Sequence, residues 1–177
     1  MRRLQFLRRG GGEGGYTLIE LLVVMVILTT ILTAITSLYI SGANAEVQAS
    51  RRFEAQQEAR MAVERLRREL HCASAITPAG ASAVASVTVT LPAACPSPDT
   101  SIVWSTELVS SGRYRLKRGS IMVADYLTSA NVFTYTAPST AALGKLHVSF
   151  PVNVHPSGGS PTWTLVDDIV LRNTTRA

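Results

Sequence analysis

From Tyr16 to Ile40 the sequence holds a single charged residue, Glu20, inside a run that continues Leu21-Leu22-Val23-Val24-Met25-Val26-Ile27-Leu28. About 20 apolar residues suffice to cross the hydrocarbon of a bilayer. A crossing segment must satisfy its own backbone polar groups, which predicts a helix. A carboxylate at the bilayer centre costs roughly 2.5–3.5 kcal/mol on insertion scales, so Glu20 requires a reason to be there. Four arginines, Arg2, Arg3, Arg8 and Arg9, precede the run. Basic residues on that flank keep the N-terminus cytoplasmic and send the remainder across. The formal charge of the chain is +5. Residues 1–15 hold four Arg and Glu13 and account for +3 of it, leaving +2 for the rest. The basic balance is thus largely a property of the first residues and a weak sign of nucleic-acid binding.

Gly14-Gly15-Tyr16-Thr17-Leu18-Ile19-Glu20 resembles the cleavage and methylation motif of type IV pilins and type II secretion pseudopilins. The resemblance implies that residues 1–15 are a leader and that a prepilin peptidase cuts after Gly15. It implies that the new N-terminal amine, on Tyr16, is methylated, and that Glu20 helps to set assembly of the filament. The family usually has Phe where this chain has Tyr16, a change that keeps the aromatic ring. Many relatives also have a proline in the second half of the apolar segment. Here that half carries Thr29, Thr30, Thr33 and Thr36 instead, whose hydroxyls can bond back to carbonyls a turn earlier or to a neighbouring helix. Ser41-Gly42 is then the expected flexible point.

Residues 46–70 read as an amphipathic continuation of the helix. Ala55, Ala59, Ala62, Val63, Leu66 and Leu70 recur at steps of three and four and form one apolar stripe. Arg60 with Glu64, Glu64 with Arg68 and Arg65 with Glu69 are spaced as i,i+4 ion pairs. Acids interleave with bases throughout, which favours a solvated face over a nucleic-acid or lipid surface. A helix from Tyr16 to Leu70 would extend on the order of 80 Å at about 1.5 Å per residue.

The stretch from His71 to Ser86 reads as a connection. Strands are expected at Val87–Leu91, Ser101–Glu107, Arg113–Lys117, Ile121–Val123, Asn131–Thr136, Lys145–Val154 and Thr162–Arg172. Arg113-Tyr114-Arg115-Leu116-Lys117 alternates charge with apolar character, which suits an exposed or edge strand. Pro151 argues for an edge or a bulge in its own strand. The fold class is therefore α+β: a long N-terminal helix packed against a C-terminal antiparallel sheet. The expected division is a leader at 1–15, a membrane and filament-core helix at 16–40, its amphipathic continuation at 41–72 and a β-rich head at 73–177.

This order also resembles minor pilins and J-type pseudopilins, through Arg65 to Leu70 at the helix end and the terminal Leu171-Arg172-Asn173. Cys72 and Cys95 fall on the side expected outside, where an oxidising compartment favours a disulfide, worth about 3 kcal/mol in the chain-entropy model. Two free thiols are the alternative. No cysteine follows Cys95 to close a C-terminal loop, as one often does in major pilins, which leans toward a minor subunit.

No nucleophile elbow, phosphate loop or His-Glu-x-x-His is present, and His71, His147 and His155 are scattered. By the resemblance to pseudopilins, some of which bind calcium, Asp167-Asp168 could hold calcium with Asp125 or Asp99, with turn or edge acids the plainer reading. No catalytic role, cofactor or metal is expected. The implied partners are prepilin peptidase, other pilin or pseudopilin subunits and the cytoplasmic membrane, with nucleic acid only as part of a competence pilus. The competing reading is a secreted or single-pass anchored β-domain binding protein. Its ordinary signal-peptide cut would fall at Ala43-Asn44-Ala45, although signal-peptide apolar cores run only about 7–15 residues.

Overall fold

The computed structural model describes residues 15–95, 97–154 and 163–173. Residues 1–14 of the expected leader, His155 and the loop expected at Pro156–Pro161 lie outside the described residues. The architecture is α+β, as the sequence predicts. Helix α1 spans Leu18–Cys72 and is followed by strands β1 (Ala75–Thr77), β2 (Ser86–Thr90), β3 (Ser101–Ser110), β4 (Arg113–Arg118), β5 (Ile121–Leu127), β6 (Phe133–Thr136), β7 (Lys145–Val152) and β8 (Trp163–Val170). The chain divides into two compact units, Met1–Glu46 and Val47–Ala177.

In the first unit every described residue is exposed. The helix there is long and apolar enough to cross a membrane. Ser41 and Gly42, the expected flexible point, are helical. One glycine costs only about 1 kcal/mol in a helix interior, which the surrounding turns absorb. The threonine hydroxyls choose the intrahelical option. Those of Thr29, Thr30, Thr33 and Thr36 donate to the carbonyls of Val26, Ile27, Thr29 and Leu32 at 2.9, 2.7, 2.7 and 2.8 Å.

In the second unit the antiparallel strands run in the order β1-β2-β3-β4-β5-β7-β6, with β8 added to β7. The buried residues of α1 are Ala55, Ala59, Ala62, Val63, Leu66 and Leu70, the predicted stripe. They form one core with Val87, Val89, Trp104, Leu116, Leu146 and Phe150, among others. Small alanines let the helix approach the sheet closely, and Leu66 and Leu70 fill the remaining space. Burying each leucine fully contributes about 1.5–3 kcal/mol. Phe133 and Phe150 meet edge to face with centroids 6.1 Å apart.

Polar contacts then fix the helix against the strands. Glu69 accepts from Trp104 Nε1 at 2.8 Å and from Arg118 Nε at 2.6 Å. Arg65 lies 3.7 Å from Glu69, as its spacing predicts. Among the described residues no ion pair joins Glu64 to Arg60 or to Arg68. Glu64 instead pairs with Arg67 at 3.2 Å, and Arg67 also reaches Asp167 at 2.7 Å. The second carboxylate draws Arg67 toward the sheet and makes the i,i+3 partner the better placed one.

Strand β4 is not an edge. It lies between β3 and β5, because its charges find partners within the unit. Arg113 grips Asp125 with Nε at 2.9 Å and Nη2 at 2.6 Å, and Arg115 Nε adds a contact at 3.2 Å. Strand β7 is interior as well, with β8 on one side and β6 then β5 on the other. Pro151 is tolerated because β6 pairs only as far as Val148, and β5 takes over at Val152. The missing N–H falls in that gap, and the Pro151 carbonyl accepts from Thr128 N–H at 2.9 Å.

Near Asp125 the β4–β5 register shifts between Tyr114 and Leu116, and Tyr126 adopts a left-handed φ of 64°. A bulky side chain seldom occupies that region, and the cost is of order 1–3 kcal/mol. Its surroundings hold it there. Tyr126 N–H donates to Asp125 Oδ1 at 2.6 Å, its carbonyl accepts from Asn153 N–H at 2.9 Å, and Arg113 sits 4.1 Å from its ring centroid. From the helix, Glu58 Oε2 accepts the Asp125 N–H at 3.1 Å.

Burial raises the Glu58 carboxyl above its usual range. The Asp125 N–H works the other way, and the charges of Asp125 and Glu54 add to the rise. A group with a raised folded pKa contributes stability that is present below its unfolded pKa of about 4.3 and is lost as pH rises through the folded value. Glu58→Gln keeps an oxygen for the Asp125 N–H and removes the charge. Urea midpoints should place this variant above wild type at pH 7, with the gap closing at pH 4. A variant less stable than wild type at pH 7 would contradict this account.

Candidate functional site

The segment singled out by its charge pattern is the start of α1. Thr17 is the N-cap. Its Oγ1 accepts the Glu20 N–H at 3.3 Å, and its carbonyl accepts the Leu21 N–H at 3.2 Å, which closes the first helical turn. Thr17-Leu18-Ile19-Glu20 has the Ser/Thr-x-x-Glu spacing of a capping box. In the sequence Glu20 stands out by its charge and Thr17 does not, although that spacing marks it. The cap places Glu20 in the first turn, where the exposed N–H groups favour a negative charge by about 0.3–1 kcal/mol. Gly15 and Tyr16 precede the helix and are exposed. A Cβ on Gly15 would meet nothing within 4 Å, so packing within this chain does not demand glycine there. Gly15, Tyr16 and Glu20 thus lie together on one exposed stretch, with Gly15 and Tyr16 ahead of the helix and the carboxylate inside it.

Cys72, the last residue of α1, forms a disulfide with Cys95 in the β2–β3 connection, with the Cα atoms 5.9 Å apart. Asn173 Nδ2 donates to the Cys72 carbonyl at 3.2 Å, so both meet at the helix C-terminus. The four aspartates Asp99, Asp125, Asp167 and Asp168 each pair with a cation. Asp99 pairs with Arg118 at 3.1 Å, Asp125 with Arg113 and Arg115, and Asp167 with Arg67. Asp168 takes Lys145 at 3.1 Å and His147 Nδ1 at 2.7 Å. His71 is exposed on the last turn of α1. Among the described residues no group of three or more His, Cys, Asp or Glu could hold a metal ion.

Residues 12–36 match the family described as the prokaryotic N-terminal methylation motif. The match supports, over that segment, the resemblance to type IV pilins and pseudopilins, which are filament subunits processed by prepilin peptidase. With the apolar helix it points to membrane anchoring. No curated protein matches the chain. No solved structure matches it.

Proposed function

We propose that this chain is a structural, non-enzymatic subunit, a minor pilin or pseudopilin, of a type IV pilus or type II secretion-like filament. It is inserted with its N-terminus inside and its head outside, cut after Gly15 and methylated on Tyr16. The observation that carries this reading is the match over residues 12–36, which spans the scissile position, the helix start and Glu20. The structure adds an exposed Gly15–Tyr16 bond ahead of a capped helix, where a peptidase can bind it extended. The competing signal-peptidase site is less favourable, because Ala43, Asn44 and Ala45 are helical and would have to unwind. Mass spectrometry of the mature N-terminal peptide tests the reading. N-methylated Tyr16 is the expected terminus, and Glu46 or an uncut chain would refute it.

In the assembled filament the apolar helices bundle and exclude water. Glu20 buried there requires a cation, and the leader arginines are gone after the cut. The available group is the Tyr16 amine of a neighbouring subunit. Leaving one member of a buried pair alone costs about 3–5 kcal/mol. The pair is met at one axial offset, whereas Leu, Val and Ile contacts tolerate sliding, so Glu20 sets register more than it adds net stability. Glu20→Ala should be cut normally and recovered with filaments far below wild type at equal membrane abundance. Equal recovery would end the pairing role.

A further inference from the structure

The carboxylates near the end of α1 do not serve all of its arginines. Arg67 takes Glu64 at 3.2 Å, and Arg68 is left with no ion pair among the described residues. Glu69 accepts from Trp104 Nε1 and Arg118 Nε at 2.8 and 2.6 Å, and its side chain is only 13% exposed. Arg65 approaches Glu69 through Nε at 3.7 Å, beyond hydrogen-bond range. Its two terminal nitrogens, like the whole Arg68 guanidinium, make no hydrogen bond among the described residues.

Arg65, Arg68, Glu69 and Arg118 line one cavity of about 330 Å³ in the β-rich unit. Leu91, Pro98 and the Cys72–Cys95 disulfide supply its apolar wall. That disulfide ties the helix end to the β2–β3 connection, so both sides of the cavity are set before anything enters. The carbonyls at the end of α1 are occupied. Those of Glu69 and Leu70 accept the Ala73 N–H, and that of Cys72 accepts Asn173 Nδ2. Three guanidiniums meet the carboxylate of Glu69, and Arg118 also holds Asp99 at 3.1 Å. Three positive charges against two negative ones leave one to be neutralised.

We propose that this cavity binds a compact monocarboxylate, one carboxyl group on a small apolar body, held by Arg65 and Arg68. Residues three apart on a helix are neighbours, and a guanidinium fork matches the two planar oxygens of a carboxylate. One negative charge balances the site. A dianion such as phosphate would leave an excess beside the largely buried Glu69. The apolar wall takes the body of the ligand, and the volume sits at the low end of ligand pockets, about 300–1,000 Å³, which keeps that body small. Such a group occurs on a free organic acid and at the end of a peptide whose last residue is apolar. The site lies wholly in the β-rich unit, so binding depends on neither cleavage nor assembly.

Fluorine NMR of para-fluorophenylacetate, titrated against the full chain in detergent at pH 7, tests the proposal. The probe should show saturable binding with a dissociation constant on the order of 1 mM. Arg68→Gln and Arg65→Gln should each weaken it about tenfold. Arg68 holds no ion pair in the fold, so its variant keeps the structure and also reports any uptake of the probe by micelles. Arg51→Gln, outside the cavity, should bind as wild type does. The neutral para-fluorophenylacetamide should not bind, and inorganic phosphate in about tenfold excess should not displace the acid. A short acetylated peptide ending in para-fluorophenylalanine separates the two sources. Its binding assigns the site to a chain end, and binding of the acid alone assigns it to a free acid. The proposal is overturned by the absence of saturable binding of both probes, by equal affinity in the Arg68→Gln and Arg65→Gln variants, by equal binding of the amide, or by displacement with phosphate.

Discussion

Gly15→Val should leave the whole population of this chain uncut in the membrane fraction, a change from complete maturation to none. The fold gives no reason for the loss, since a Cβ there meets nothing within 4 Å. Helix α1 starts beyond it with the Thr17 cap intact. The effect must arise in the peptidase, where a branched side chain obstructs close approach to an extended backbone. Intact-mass measurement of the membrane-extracted variant, with the peptidase present, gives the answer. A Tyr16 terminus at wild-type yield would refute the proposed processing.

Asp125→Ala should destabilise the β-rich unit by about 3 kcal/mol, the lower end of the cost of breaking a buried ion pair, because Arg113 is 24% exposed and partly rescued by water. The substitution removes at once the acceptor for Arg113, Arg115 and the Tyr126 N–H, and with the last of these a restraint on a left-handed tyrosine. Urea unfolding of the full chain in detergent, followed by fluorescence of the fully buried Trp104, measures the loss. Its pH dependence has a defined sign. Burial opposes ionisation of Asp125, but hydrogen bonds from Arg113, the Tyr126 N–H and Arg115 outweigh it and hold the carboxyl below its usual range. Stability from a depressed pKa is present above the unfolded value of about 3.9 and fades as pH falls through the folded one. Wild type and variant should therefore differ fully at pH 7 and converge in strong acid. A penalty under 1 kcal/mol at pH 7 would show that the network is dispensable.

The elements that sequence made legible are those with one dominant periodicity. Ala55 to Leu70 repeats at helical steps, and β2, β7 and β8 alternate, so their faces followed directly. Strand β1 is three residues long in a stretch of small residues, too short to display a period. Strand β5 was expected to end at Val123 but continues to Leu127, because the bulge at Asp125–Tyr126 breaks the alternation a reader relies on. The interior place of strand β4 is not legible from its alternation, because the partners of its arginines are cross-strand or distant in sequence. Only the folded register shows that Asp125 serves both Arg113 and Arg115. At the candidate site Glu20 stood out as a lone charge in an apolar run. Thr17 did not, since a threonine beside apolar residues looks ordinary until its hydroxyl is seen on the Glu20 N–H.

The four threonines of the apolar helix bear on mechanics. Each hydroxyl donates its one proton to a carbonyl of its own helix, so none is held in reserve for a neighbour. A helix of this kind offers little shear resistance. It can be drawn lengthwise past similar helices, or out of lipid, without rupturing a hydrogen bond donated by those hydroxyls. Friction along the threonine-bearing part of its flank then comes chiefly from dispersion contacts, which re-form at each step. Under the proposed pairing, the brake on such sliding is concentrated in the first turn, at Glu20.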